Sequence, residues 1–150
     1  MLGGRHKARE ILFRVLFESE ISGEDPREVL ESNLGRFRLT EEGRDHAVKI
    51  VWSFAARRGE VDQLVRDRLQ NWTLERLSGV TRALLRLATV ELLDAPDVPT
   101  EVVLDEAIRL ARRYGEEESA PFINGVLDPV ARAVRGPLGL AAPERKDRGA

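Results

Sequence analysis

Apolar residues recur along almost the whole chain at the spacing of one face of an α-helix. The first such stripe runs through Ala8, Ile11, Leu12, Val15 and Leu16. Later stripes pass through Ile50, Leu84, Val103 and Val126. Apolar residues that recur every three to four positions are typical of an amphipathic helix. No segment alternates apolar and polar residues as a half-buried strand does, so the sequence predicts an all-α protein.

Residues that begin and end helices divide these stripes into segments. The predicted caps at helix starts are Asp25, Thr40, Thr100 and Ser119. Helix ends are predicted at residues 57–59, at Gly115 and at Gly136. A further helix is predicted over residues 61–69. One helical domain is therefore expected over 1–135, followed by a disordered tail over 136–150, which offers little apolar surface to bury.

Composition narrows the class of protein. The chain has 150 residues and no cysteine, with a formal net charge of −2. Disulfides and thiolate metal sites are therefore excluded. No apolar run reaches membrane-spanning length and no signal peptide is visible, so we expect a cytoplasmic protein without a membrane partner. Because the net charge is slightly negative, binding of nucleic acid would require a local basic patch.

The start of the chain supplies a local basic patch. Residues 1–14 hold four Lys or Arg residues and one acid. Arg5 and Arg9 are four residues apart and share one side of the predicted helix, flanking the apolar stripe. Such a rim could bind phosphates, and arginine could also stack on unpaired bases. An ordinary solvated helix face is the alternative, and the residues alone leave both open.

A second unusual segment lies in the last predicted helix, where Asn124 and Gly125 interrupt an apolar stripe. Asn124 could contact a base edge or cap a neighbouring helix, and Gly125 could admit a close backbone or ligand. Alternatively, the pair only accommodates a kink, because Pro129 would clash with the carbonyl of residue 125. The acidic run 116–118 before this helix is interpreted as a solvated loop.

Signatures of catalysis are missing from the sequence. It contains no phosphate-binding glycine loop, no nucleophile elbow and no zinc-protease motif. The two histidines, His6 and His46, have no second ligand at a metal-binding spacing. We therefore expect no enzyme activity, no metal and no cofactor.

Several short blocks follow one another in a distinctive order. They are residues 5–10, 15–17, 83–88, 91–92, 97–99, 105–108, 110–111, 114–115 and 122–128. Together these blocks resemble the NusB family of bacterial transcription antitermination factors over about residues 5–135. The most specific block is Phe122-Ile123-Asn124-Gly125-Val126-Leu127-Asp128.

The resemblance implies a fold and a function. The fold would be all-α, with about seven helices in two packed bundles. The function would be to bind the boxA element of nascent ribosomal RNA as a single strand. The partner would be the small-subunit ribosomal protein S-ten, also called NusE, and the complex would act on RNA polymerase to suppress termination.

The resemblance also implies site residues. Those matching the RNA-binding positions are Arg5, His6, Lys7, Arg9, Phe17, Glu118, Phe122 and Asn124. Those matching the surface for the ribosomal protein are Arg82, Arg86 and Glu91. Thr81 departs from the family pattern, because relatives often carry an acid there.

Two other functions compete with this interpretation. The same helical module occurs fused to ribosomal RNA cytosine methyltransferases, but we expect no such fusion here, because only a short tail follows Arg135 in this sequence. The second alternative is a homodimeric protein-interaction module with little RNA binding by itself. In such a dimer the basic start would be buried between the two copies.

Overall fold

The computed structural model describes residues 2–136, with side chains from Arg5 onward. In this range the backbone forms six α-helices and one short 3-10 helix. They are α1 (Leu2–Ser22), α2 (Pro26–Leu34), α3 (Glu41–Arg66), the 3-10 helix (Leu74–Arg76), α4 (Gly79–Asp94), α5 (Thr100–Tyr114) and α6 (Ser119–Arg135). No strand occurs between residues 2 and 136, so the predicted all-α class is confirmed. The predicted disordered tail, apart from Gly136, lies outside the described residues.

The expected count of about seven helices is slightly wrong, because two predicted helices are one. The helix predicted to end at residues 57–59 continues to Arg66 as α3, with a kink at Arg57 (φ −118°, ψ 23°). A glycine usually ends a helix by adopting positive φ. Gly59 does not, whereas Gly136, which ends α6, has φ 90°. The helix therefore bends at Arg57 without ending.

Two of the four predicted caps are confirmed. An Asp25 oxygen accepts the backbone N–H of Arg27 at 2.9 Å. The Thr40 hydroxyl likewise accepts the backbone N–H of Gly43 at 2.9 Å. Each bond satisfies an amide of the first helical turn that has no partner within the helix.

The caps predicted at Thr100 and Ser119 are wrong. Both residues lie inside the first turn, and the cap positions belong to Pro99 and Glu118, whose side chains make no capping bond. The Ser119 hydroxyl instead accepts the backbone N–H of Glu116 at 3.0 Å. Its oxygen therefore stabilises the turn before the helix and not the helix start.

The helices pack in two groups of three around a shared core. The first three helices contact one another, and so do the last three, while α4 also packs against α1 and α3. The buried apolar side chains of both groups form one continuous cluster. Helix α4 is therefore enclosed on most sides, and ten consecutive positions from Ala83 to Leu92 are buried.

Arg135 joins the end of α6 to the α4–α5 connection. Its side chain is buried, and its guanidinium donates to the backbone carbonyls of Leu92 at 3.1 Å, Ala95 at 2.9 Å and Val98 at 2.6 Å. Carbonyls after a helix end have no partner within the helix. Arg135 therefore stabilises the turn that brings α5 back against α4.

Candidate nucleic-acid interface

Arg5, His6 and Lys7 form what we call the basic edge, in the first turns of α1. Lys7 is exposed, and no acid of the described residues forms an ion pair with it. Arg5 is half-buried, with Nε 3.5 Å from a Glu42 oxygen and Nη1 3.3 Å from an Asp97 oxygen. Within the basic edge, Lys7 is therefore available to a ligand, whereas Arg5 is already paired with two acidic side chains.

Asp97 remains ionised beside Arg5. Burial acts to raise the pKa of the Asp97 carboxyl, but a backbone hydrogen bond and the charge of Arg5 outweigh it and hold the pKa below its ordinary value of 3.8. The carboxylate is thus negative at neutral pH. An RNA phosphate that binds Arg5 must compete with it.

His6 contacts an acid of α5. Its Nδ1 lies 3.1 Å from an oxygen of Glu106, and the same oxygen accepts a bond from Arg109 at 3.2 Å. The His6 ring is 40% exposed, so one side of it remains open to solvent. The histidine can therefore contact a ligand without leaving Glu106.

The structure corrects the expected role of Arg9. Its side chain is only 3% exposed, and its Nε donates to both carboxylate oxygens of Glu91, at 3.0 and 2.9 Å. Helix α1 is buried over a wider arc than the predicted stripe, since Phe13, one turn after Arg9, is also buried. Arg9 therefore points into the protein and not toward an RNA.

The structure also corrects the predicted surface for the ribosomal protein. Arg86 is buried and bonded twice to Asp62, at 2.8 and 3.0 Å. Arg82 donates to Glu20 at 2.6 Å and to three backbone carbonyls of residues 74–77, and Glu91 is enclosed with Arg9. The physical reason is the central place of α4, whose charged residues pair inside the fold. Arg86 and Glu91 are therefore enclosed, whereas Arg82 is partly exposed and its contact with a ribosomal protein remains a prediction.

Further along α1, cationic and aromatic side chains return to the surface. Arg14 is exposed, with Nη2 3.5 Å from the Tyr114 hydroxyl. The Phe17 ring is partly buried and lies so close to Gly79 that a Cβ there would come within 2.9 Å of it. The middle of α1 therefore carries a cation and an aromatic ring next to α5 and α4.

Glu10, one turn before Arg14 on α1, is half-buried against α5. Burial acts to raise the pKa of its carboxyl. A hydrogen bond donated by the Tyr114 hydroxyl and the charges of Arg113, Arg109 and Arg14 outweigh burial and lower the pKa below its ordinary value of 4.5. The ionised Glu10 thus helps to hold α5 against α1.

A cleft with aromatic walls, which we call the aromatic cleft, opens between the 3-10 helix and the start of α6. Its lining residues are Trp72, Arg76, Leu77, Ser78, Thr81, Glu116, Glu118, Ser119 and Phe122, and its volume is about 430 Å³. The fold thus brings together Phe122 and Glu118, two of the predicted RNA-binding residues. The cleft adjoins Gly79, on which Phe17 packs.

The lip of the aromatic cleft is shaped by Gly115, between α5 and α6. A Cβ at this position would lie 2.9 Å from the Ala111 carbonyl oxygen and 2.9 Å from the Ser119 hydroxyl. Such distances are shorter than van der Waals contact, so a side chain at position 115 would displace the backbone. Glycine therefore allows the tight corner that sets the positions of Glu116 and Glu118.

Asn124 and Gly125 lie on the outer side of α6. Both are exposed, and within the described residues a Cβ at Gly125 would meet nothing within 4 Å. Asn124 caps no neighbouring helix, and α6 continues through Pro129. Of the interpretations left open, a close approach of this chain's own backbone is therefore wrong, whereas a contact of Asn124 with a ligand remains a prediction.

The described residues include neither a metal-binding cluster nor a membrane-spanning helix. No group of three or more His, Cys, Asp and Glu side chains is arranged to hold a metal ion in the part of the chain that the structure describes. None of the described helices is both long enough and apolar enough to cross a membrane.

Comparison with known proteins identifies the family. A model of the NusB family matches residues 6–132, which is most of the chain. The chain belongs to the NusB family. The transcription antitermination protein NusB of Sorangium cellulosum is 41% identical over 130 residues, covering 87% of this chain and 93% of that protein. The same-named protein of Pseudothermotoga lettingae is 40% identical over 144 residues, covering 95% and 96%.

Solved NusB structures share the fold. A structure of T. maritima NusB superposes with a TM-score of 0.81 at 35% identity, covering 96% of each chain. The antitermination factor in a crystal structure of NusB and NusE with double-stranded RNA gives 0.80 at 27% identity, covering 89% of this chain and 99% of that one. The predicted family and its role in transcription antitermination are thus confirmed, and NusB proteins are RNA-binding factors, not enzymes.

Several residues of this surface were not predicted from the sequence. Trp72 is 52% exposed and Arg76 is exposed, and both line the aromatic cleft. Each lies in a short segment between stripes, so periodicity gave no reason to select it. An exposed tryptophan beside an arginine was the available signal, because large aromatic side chains outside the core often mark binding surfaces. Glu106, which pairs with His6, carried no such signal.

Proposed function

We propose that this NusB-family chain binds single-stranded boxA-type RNA jointly with the ribosomal protein NusE. In this proposal the complex forms on RNA polymerase in the cytoplasm and promotes read-through of termination sites. Support comes from the related complex of NusB, NusE and double-stranded RNA and from the shared fold. Further support comes from the surface of α1.

The proposal rests on a row of cationic and aromatic side chains that runs from the basic edge to the aromatic cleft. Lys7 and Arg14 are both exposed and seven residues apart, which places them on one side of α1, about 10 Å apart along the helix. Phe17 follows, packed on Gly79, and Gly79 adjoins the cleft that holds Phe122. The row offers an extended path to a single strand.

The chemistry of the row suits an unpaired RNA. Lys7 and Arg14 can neutralise successive phosphates, while Phe17 and Phe122 can stack on bases that are not paired. The carboxylate of Glu118 can accept hydrogen bonds from exocyclic amino groups of a base. We include His6, Arg5 and Asn124 as further contacts of the same strand and exclude Arg9.

The acids around the basic edge lower its affinity for phosphate. Arg5 is shared between Glu42 and Asp97, and His6 contacts Glu106. An incoming phosphate must replace these partners, so the gain per contact is small. This favours a factor that needs NusE to add contacts to the same RNA.

The direct test is binding of a short labelled boxA RNA, with and without NusE, across a salt series. A scrambled single strand, a duplex of boxA sequence and a light-scattering measurement of oligomeric state complete the design. We expect selective binding of the single strand, enhancement by NusE, and loss of affinity as salt increases.

Two outcomes contradict the proposal. Equal affinity for boxA and scrambled RNA with NusE present would contradict sequence-specific recognition. Absence of RNA binding by a protein that self-associates would instead favour the homodimeric interaction module.

A further inference from the structure

One arginine of the basic start is enclosed by other helices. The Nε–H of Arg9 on α1 points between the two carboxylate oxygens of Glu91 on α4, at 3.0 and 2.9 Å, and both side chains are at most 3% exposed. No phosphate can reach a cation enclosed in this way while α1 stays in place. The positive charge of Arg9 is thus paired inside the protein, although the residue belongs to the basic segment of α1.

The same carboxylate also holds a third helix. The Nε2 atom of His46, on α3, lies 2.6 Å from a Glu91 oxygen, and the histidine side chain is 3% exposed. Glu91 therefore joins α1 and α3 to α4 at one buried point. We call Arg9, Glu91 and His46 the buried anchor.

A second carboxylate connects the buried anchor to the basic edge. An oxygen of Glu106, on α5, lies 4.0 Å from Nη1 of Arg9 and 3.1 Å from Nδ1 of His6. His6 and Arg9 are three residues apart and therefore neighbours on one side of α1. Any rotation of α1 at Arg9 would also move His6 away from Glu106.

The buried anchor fixes the rotation of α1 about its own axis, which the apolar contacts of α1 alone do not fix. Burial of Ala8 and Leu12 stabilises the helix against its neighbours, but hydrophobic contact is not directional. The Arg9–Glu91 ion pair is directional, because a hydrogen bond weakens steeply when the N–H turns away from its acceptor, and the enclosed Arg9 Nη1 also faces Glu106 at 4.0 Å. Arg5 lies one turn before Arg9, so the angle set at Arg9 determines where the basic edge points.

We infer that Arg9 is a positioning residue: it holds the first turns of α1 against Glu91 so that Arg5, His6 and Lys7 face the RNA, and it does not bind RNA itself. This inference rests on the proposed function. It assigns to an arginine of the basic segment a role opposite to the one that its position in the sequence suggests.

The test uses two variants that keep the positive charge at position 9. Arg9→Lys retains the cation but lacks the planar guanidinium that faces Glu91 through Nε and Glu106 through Nη1. Glu91→Gln weakens the pair while an amide oxygen still faces His46. Affinity for boxA RNA is measured at a temperature where circular dichroism shows each variant folded. We expect each variant to bind about tenfold more weakly, as coupling energies between contacting residues allow. Glu31→Gln, an exposed acid on α2, is the control for a lost negative charge and should bind normally.

An Arg9 that contacts phosphate would give the opposite pattern. Glu91→Gln would release the guanidinium and leave binding equal or tighter, and Arg9→Lys would preserve most of the affinity. That pattern overturns the inference. The double variant Arg9→Lys with Glu91→Gln adds a further check. If both residues act through the same ion pair, its affinity for RNA should be no lower than that of the single variant that binds less tightly. If Glu91→Gln does not fold, Arg9→Lys alone decides.

Hydrogen exchange in the free protein tests the buried anchor without RNA. We expect faster exchange of backbone amides over residues 5–12 in both variants, with exchange in α6 unchanged. Unchanged exchange in α1 would overturn the inference even if RNA binding fell. If the unmodified protein fails to bind boxA, the proposed function fails, and the exchange result still decides whether Arg9 holds α1.

Discussion

Arg86 and Asp62 face each other across the contact between α4 and α3 and form a two-point ion pair at 2.8 and 3.0 Å. Both side chains are at most 10% exposed. The pair joins the two groups of helices through charge, in a region that is otherwise apolar.

Removal of one partner should destabilise the fold strongly. Arg86→Met leaves the Asp62 carboxylate buried without its partner, so we expect the free energy of unfolding to fall by about 3–5 kcal/mol. Urea denaturation measures the change. The double variant Arg86→Met with Asp62→Leu should recover most of the loss, because the Asp62 charge is removed together with its partner and Glu20, the other acid near Arg86, keeps its pair with Arg82. A double variant as unstable as the single one would contradict this account.

Arg135 should be far more important for stability than its neighbour Arg132. Arg135 donates to several backbone carbonyls inside the fold, so we expect Arg135→Met to cost about 2–4 kcal/mol. Arg132→Met removes an exposed pair with Asp128 on the same helix and should cost less than about 0.5 kcal/mol. Thermal unfolding of both variants provides the comparison, and similar losses would refute the anchoring role.

The stability contributed by Glu10 should depend on pH. Its pKa is lowered in the folded protein, so its contribution is complete above the ordinary value of 4.5 and is lost as pH falls through the lowered folded value. Tyr114→Phe removes a hydrogen bond that lowers this pKa and should cost about 1–2 kcal/mol at about pH 7. The deficit should shrink at about pH 3, measured by urea denaturation at each pH. A deficit that does not change with pH would assign the loss to packing.

Lys7 should contribute to RNA binding through charge alone. Lys7→Gln is expected to reduce the slope of log affinity against log salt by about 0.7, the value for one phosphate contact with a single strand. Arg58→Gln, which removes another exposed cation but in the later half of α3, is the control and should leave the slope unchanged. Fluorescence anisotropy of labelled boxA RNA measures both. Equal slopes for the two variants would exclude Lys7 from the RNA path.

Two exposed tryptophans allow a test of the aromatic cleft. Trp72 lines the cleft, whereas Trp52 lies on α3 beneath Arg27. If a base stacks on Trp72, Trp72→Ala should weaken RNA binding by about 1–3 kcal/mol and Trp52→Ala should have no effect. In Trp52→Phe, where Trp72 is the remaining tryptophan, RNA should quench the fluorescence. Undiminished fluorescence with RNA bound would place the strand elsewhere.

Local signals in the sequence predicted local structure well. Asp25 and Thr40 were identified as caps because a cap acts on amides two or three residues away, and both bonds form. Ser119 had the same signal but bonds backward to Glu116, since the tight corner at Gly115 brings that amide closer. The choice between two nearby amides depends on the path of the preceding loop, which a single residue type does not specify.

Long-range pairing is the part that the sequence did not reveal. Arg9 and Glu91 are separated by 82 positions, and Arg86 and Asp62 by 24. Each resembles a surface charge when its own helix is considered alone. Only the packing of α1, α3 and α4 decides that these side chains are enclosed and paired, and no spacing within one helix carries that information.

The corner at Gly115 also limits which positions of this protein can accept substitutions during evolution. The acids at 116–118 follow the corner and are exposed, so replacing them alters charge without altering the path of the chain. Replacing the glycine would move all three at once, together with the first turn of α6. During evolution the charge at positions 116–118 can therefore vary while the fold is kept, whereas position 115 accepts almost no variation.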